Sequence, residues 1–143
     1  MSVEGVWYNE LGSMMRIYVV EGSITGTYQT KVGDASGIYQ LVGGIDDDGD
    51  PNSAGQAVGW VVVWNNEAHG SSHSVTSWSG QYQEIEGEEE IVTLWLLTGE
   101  TPPGADWSAT RVNQDVFTRN QPDEATILRA GKRNKVPQPL QLA

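Results

Sequence analysis

Apolar and polar residues alternate with a period of two along most of the chain, in short runs separated by Gly, Pro, Asp and Asn. In GWVVVW (residues 59–64) Trp60, Val62 and Trp64 fall on one side; in TLWLL (93–97) Thr93, Trp95 and Leu97 do; in NQDVF (113–117) Asn113, Asp115 and Phe117 do. Successive side chains of a strand point to opposite faces, so this pattern predicts half-buried strands. Eight are expected, at residues 5–10, 14–21, 25–31, 37–43, 56–64, 73–84, 90–97 and 111–119, with a turn at 21–23 and a polar loop at 46–51. An even number of strands with short connections predicts an all-β fold, an eight-stranded antiparallel up-and-down β-barrel without free sheet edges. A Greek-key sandwich is the competing architecture. Residues 1–120 would form the barrel domain. Residues 121–143, which lose the alternation, would form a flexible C-terminal tail with a short helical turn near 123–129.

One strand states the chemical problem. In SVTSW (74–78), Ser74, Thr76 and Trp78 share a face, while Val75 and Ser77 share the other. The same parity puts Asn9, Leu11 and Ser13 together, and Tyr28 with Thr30. If these faces converge, the barrel interior is lined by Trp64, Trp78 and Trp95 together with Asn9, Ser13, Tyr28, Thr30, Thr76 and Asp115. Each residue alone has an ordinary structural explanation; their coincidence on one face does not. Burying so many donors and acceptors without partners costs about 1–3 kcal/mol each. An eight-stranded barrel is just wide enough for one small ligand, and a ligand with matching polar groups, or ordered water, would offset that cost.

Composition narrows the partners. The 143 residues suit one domain and carry a net charge of −11, which argues against nucleic acid and for a small or neutral ligand. No apolar run approaches the roughly 18 residues needed to span a bilayer, so no membrane partner is expected. Without cysteine there is no disulfide framework or thiolate chemistry, and the two histidines, His69 and His73, lie in one loop-like stretch without metal-ligand spacing. Six of the eight cations are Arg111, Arg119, Arg129, Lys132, Arg133 and Lys135, which read as a solvated tail balancing an acidic body. The acidic loop IDDDGDPN fails as a calcium loop, because aligning its glycine puts Gly44 and Gly55 where carboxylates are needed. A glycosidase using Glu88, Glu90 and Asp115 is disfavoured, because EGEEE reads as an exposed hairpin turn. The N-terminal MSVEGVWYNE lacks a signal peptide's basic and apolar regions, consistent with a cytoplasmic protein or with a chain numbered from beyond a cleavage site.

WYNELGS (7–13), TGTYQT (25–30) followed by KVGDA (31–35), GWVVVW (59–64), HSVTSWSGQY (73–82), LWLLTG (94–99) and WSATRVNQDVFT (107–118) resemble, in order and approximate spacing, the avidin and streptavidin family of biotin-binding proteins. The resemblance covers roughly residues 5–118 and implies high-affinity, non-covalent biotin binding with no catalysis and no cofactor. By position it implies that Asn9, Ser13 and Tyr28 donate to the ureido oxygen, that Thr30 and Asp115 accept from the ureido nitrogens, and that Thr76 approaches the ring sulfur. Ser74 and the backbone N–H of Asp34 would bind the valeryl carboxylate, with Val32 and Gly33 in a loop closing over the ligand. Trp64, Trp78, Trp95, Leu11 and Leu97 would form the apolar box. Trp107 matches a tryptophan that tetrameric members lend to a neighbour's site, so a homotetramer is expected, with a homodimer as the alternative. A secreted or periplasmic location follows from the same resemblance. A barrel carrying another small ligand is the competing function; it would not be expected to combine Asn9, Ser13, Tyr28, Thr30 and Asp115. The stretch between Trp64 and Ser74 is about one residue longer than the family pattern. By analogy with relatives whose C-terminal segments occupy a neighbour's empty site, PQPLQLA (137–143) is a candidate for that role.

Overall fold

The computed structural model describes residues 2–30, 37–47, 49–50, 54–66 and 70–133. Eight antiparallel strands, β1 (Gly5–Tyr8), β2 (Met14–Val20), β3 (Ser23–Gln29), β4 (Ile38–Ile45), β5 (Gly55–Asn66), β6 (Gly70–Ile85), β7 (Glu88–Gly99) and β8 (Thr110–Thr118), pair in chain order and close into a barrel. The up-and-down barrel expected from the alternation is the observed fold, and the sandwich is not. Two hairpins are tight: Glu21-Gly22 has φ of 49° and 81°, and Glu86-Gly87 has 54° and 82°. Two consecutive positive φ values are those of a type I′ turn, whose twist matches that of the strands it joins. Of the EGEEE stretch, read from composition as an exposed turn, only Glu86-Gly87 turn; Glu88, Glu89 and Glu90 already pair in β7, the last two half-buried.

The interior follows the predicted parity. Val58, Trp60, Val62 and Trp64 of β5 are buried, as are Thr76, Trp78 and Tyr82 of β6 and Ile91, Thr93, Trp95 and Leu97 of β7. Two glycines let neighbouring chains approach. A Cβ on Gly43 would meet Gly59 O and the Trp60 backbone, and one on Gly80 would meet Val92 O. At one end Trp7 stands edge-on to Tyr82, with ring centroids 5.8 Å apart. Arg119 lies over the Trp7 ring at 3.8 Å and donates to Glu89 (Nε to Oε2, 3.1 Å) and to Ser2 O (2.8 Å). Tyr82 donates to the same glutamate at 2.6 Å. This plug leaves the opposite end for a site.

Three features differ from the expectation. β5 and β6 run further into polar sequence, with Asn65 opposite Ser71 and Asn66 opposite Gly70, because the hairpin ladder continues after a register shift between Val63 and Asn65. A helix, α1 (Glu124–Arg133), forms where a short helical turn near 123–129 was expected, and is longer than that turn. Asp123 caps it, its Oδ1 accepting the Thr126 N–H at 2.7 Å. A 3-10 turn, Asp106–Ser108, precedes β8. No helix among the described residues is long and apolar enough to cross a membrane. Residues 137–143 lie outside the described residues.

Candidate ligand-binding site

The loop from β1 to β2 is built on Asn9. Its Oδ1 accepts the backbone N–H groups of Leu11 (3.0 Å) and Ser13 (2.9 Å), which fixes the loop and turns the amide nitrogen inward. Nδ2 then donates to the Tyr28 hydroxyl at 3.4 Å. Because both backbone donors demand an oxygen, the orientation of this amide is set by chemistry. Burial first, then the charge of Asp115, pushes the Tyr28 hydroxyl well above its usual range, so it remains a neutral donor. The Ser13 hydroxyl lies near the same Tyr28 oxygen and works against the rise in its pKa. Asn9, Ser13 and Tyr28 thus converge as three donors from two adjacent parts of the barrel.

Asp115, on β8, is fully buried. Its Oδ2 accepts the indole N–H of Trp78 at 2.9 Å, while Oδ1 is buried without a hydrogen-bond partner. Burial, followed by the nearby Glu10 carboxylate, holds this carboxyl well above the usual aspartate range. The Trp95 N–H lies near enough to steady the charge but makes no hydrogen bond. Thr93 Oγ1 donates to the Asp115 carbonyl oxygen at 2.9 Å and fixes the β7–β8 backbone there.

Aromatic rings form the walls. Tyr28 lies 5.6 Å from Trp64 and 5.1 Å from Trp78, and Trp64 lies 6.2 Å from Trp78, edge-on. Such pairs add about 0.5–1.5 kcal/mol each beyond area burial and hold the rings in place. Trp64 Nε1 donates to Thr76 Oγ1 at 2.8 Å, leaving that hydroxyl its own proton to give. Leu11, Leu97 and Thr30 are also buried, and Ser74 is partly buried on β6 opposite Gly99. Near Ser74 a cleft of about 390 Å³ opens between Trp64, His73 and Glu100.

Of the residues expected in the site, Asn9, Leu11, Ser13, Tyr28, Thr30, Trp64, Thr76, Trp78, Trp95, Leu97 and Asp115 are therefore buried in one barrel interior, with Ser74 on the same strand face. Trp107 does not join them; it is 86% exposed in the 3-10 turn. Val32, Gly33 and Asp34 lie outside the described residues. Three supporting residues were not singled out from sequence. Tyr39 stands edge-on to Trp64 at 5.0 Å, Trp60 stacks on Trp78 at 5.7 Å, and Glu10 flanks Asp115. Parity with Trp64 was a usable signal for Trp60. Glu10 was expected at the end of the first strand, but β1 stops at Tyr8 and residues 9–13 form a loop.

The avidin family model matches residues 1–120. Avidin-related protein 4/5 from Gallus gallus is 37% identical over 124 residues, covering 82% of this chain and 77% of that protein. Avidin from the same organism is 36% identical over 123 residues, covering 82% and 78%. Avidin-related protein 3, also from Gallus gallus, is 34% identical over 126 residues, covering 84% and 79%. With a closed eight-stranded barrel and a polar, tryptophan-walled interior at one end, the chain belongs to the avidin family.

Proposed function

We propose that the protein binds biotin non-covalently inside the barrel. The observation that carries this reading is the opposition of three convergent donors, Asn9 Nδ2, Ser13 Oγ and Tyr28 OH, to a buried acceptor without a partner, Asp115 Oδ1. A cyclic urea has the complementary pattern, one carbonyl oxygen flanked by two N–H groups. The oxygen accepts from the three donors, one N–H donates to Asp115 Oδ1, and the other donates to Thr30. Donors fixed before the ligand arrives stabilise a polarised carbonyl without reorganisation, as in an oxyanion hole. The Thr76 hydroxyl faces the ring sulfur. Trp64, Trp78 and Trp95 box the bicyclic rings with Leu11 and Leu97, and Ser74, with the 32–34 loop, takes the carboxylate. No bond is made or broken; Asp115 acts as a charge-assisted acceptor and the protein is a binder, not an enzyme.

The outer face of β7 and β8 supports self-association as a homotetramer, or alternatively a homodimer. Leu94, Leu96 and Val112 are 60%, 51% and 57% exposed, and Leu96 is directly opposite Val112 in the ladder. Trp107, exposed in the turn before β8, closes a neighbour's site in such an assembly. A secreted or periplasmic location accompanies this reading. Titrating the purified protein with biotin while following tryptophan fluorescence tests it: saturation at one biotin per chain is expected, and no response up to micromolar biotin would overturn the proposal.

A further inference from the structure

The barrel closes least completely between β1 and β8. Strand β8 has nine residues and β1 four, and among the described residues their regular pairing is confined to Tyr8 and Thr118. On its other side β8 pairs with β7 from Thr110 to Thr118. Alternate N–H groups of an antiparallel strand point to the same side, so Val116 and Gln114 both turn theirs towards the open edge. Side chains take them: Glu10 Oε2 accepts the Val116 N–H at 3.2 Å, and Asn113 Oδ1 accepts the Gln114 N–H at 2.8 Å. At the plugged end Arg119 Nη1 spans the same seam to Val6 O at 3.3 Å, and is itself fixed by Glu89 and the Trp7 ring. At the site end the half-buried Glu10 is the bridge.

The two halves of the ligand site lie on opposite sides of this seam. Glu10 follows Asn9 in the 9–13 loop, which Asn9 Oδ1 holds together through the Leu11 and Ser13 N–H groups. Val116 follows Asp115, whose Oδ2 is committed to Trp78 and whose Oδ1 is buried without a hydrogen-bond partner. One bond, from the Val116 N–H to Glu10, therefore sets the distance between the donors of the loop and the acceptor of β8.

We propose that Glu10 is a positioning residue: it clasps the loop of Asn9 and Ser13 to the strand of Asp115, so that the free barrel already holds both halves of the site at ligand spacing. A bound cyclic urea, held by Asn9 and Ser13 on one side and Asp115 on the other, adds a second bridge across the same seam. Glu10 thus matters most in the free protein, before the ligand has made its own bridge. Without the clasp the seam opens locally, and the apparent association rate falls in proportion to the fraction of barrels still closed. In the complex the ligand does part of the same work, so dissociation changes less. The inference rests on the biotin reading of the site.

Stopped-flow association with biotin, followed by tryptophan fluorescence, compares the full-length wild type with Glu10→Gln, which keeps an oxygen for the Val116 N–H, and Glu10→Ala, which does not. Glu10→Ala should associate about 5- to 30-fold more slowly, with a smaller change in dissociation rate, and Glu10→Gln should stay within about twofold of wild type. A residue that only stabilised the fold would leave the association rate of the folded protein unmoved. Hydrogen exchange in the wild type gives a second measurement, which decides the matter if Glu10→Ala does not fold. The Val116 amide should exchange faster than those of Trp78 and Trp95 in the free protein, and saturating biotin should slow it by about 100-fold or more, because the seam can then open only when ligand leaves. Wild-type association by Glu10→Ala, equal slowing in Glu10→Gln and Glu10→Ala, or a Val116 exchange rate unchanged by bound biotin would each overturn the inference. Failure of the wild type to take up biotin would overturn the biotin reading instead.

Discussion

Asn9→Ala and Asn9→Asp are expected to fail in different ways, because the two ends of this side chain do different work. Oδ1 satisfies the backbone N–H groups of Leu11 and Ser13, both in buried residues. Alanine orphans both donors at about 1–3 kcal/mol each; with partial access of water, a net loss of about 2–4 kcal/mol is expected. Aspartate keeps an oxygen for both donors, which also hold it ionised, so the fold should survive with little change. What aspartate removes is the inward donor. The ligand oxygen would lose one of three hydrogen bonds and face a negative oxygen instead, weakening biotin binding by about 10- to 100-fold or more. Urea unfolding of the apo proteins and biotin dissociation rates, both near pH 7.5, separate these effects. An Asn9→Ala protein with an unchanged unfolding midpoint, or an Asn9→Asp protein whose affinity lies within about threefold of wild type, would refute the reasoning.

Arg119→Ala should cost about 2–3 kcal/mol in chemical denaturation, since it removes a cation–π contact, a partly buried ion pair and a bond to Ser2 O while leaving the site end intact. Arg119 holds Glu89 below the usual carboxylate range, so that contribution is present above the ordinary glutamate pKa and should fade as pH falls through the lowered one. Asp115 has the opposite sign. Its raised carboxyl contributes stability to the apo protein at acid pH that is lost as pH rises through the raised value, so Asp115→Asn should be more stable than wild type by about 1–3 kcal/mol at alkaline pH and nearly equal at acid pH in thermal melts. Trp107→Ala should leave the monomer fold unchanged, because the side chain is 86% exposed, but should speed biotin dissociation if a neighbour's site uses it; equal off-rates would count against that role.

The strands were legible because half-buried strands repeat every two residues, and that period fixes which side chains face inward. Trp64, Thr76, Trp78, Trp95 and Asp115 could be placed in one interior from parity alone. Where period fails, so did legibility. The polar ends of β5 and β6 pair through backbone hydrogen bonds that need no apolar side chain, so Asn65 and Ser71 gave no sign of a ladder. The α1 helix starts from the Asp123 cap, where a short helical turn was expected, and runs on to Arg133. Glu10 accepts the Val116 N–H across the barrel seam, a proximity created by closure rather than by neighbourhood in the chain. The inward turn of the Asn9 amide likewise follows from where the Leu11 and Ser13 N–H groups point, which residue identity does not encode.

Native mass spectrometry of the wild-type protein with one equivalent of biotin per chain tests the central claim most directly. Every chain should carry one biotin, retained under gentle activation, while Asp115→Ala under the same conditions loses most of it. A wild-type spectrum without bound biotin, or equal retention by both proteins, would contradict a barrel interior built to receive a cyclic urea.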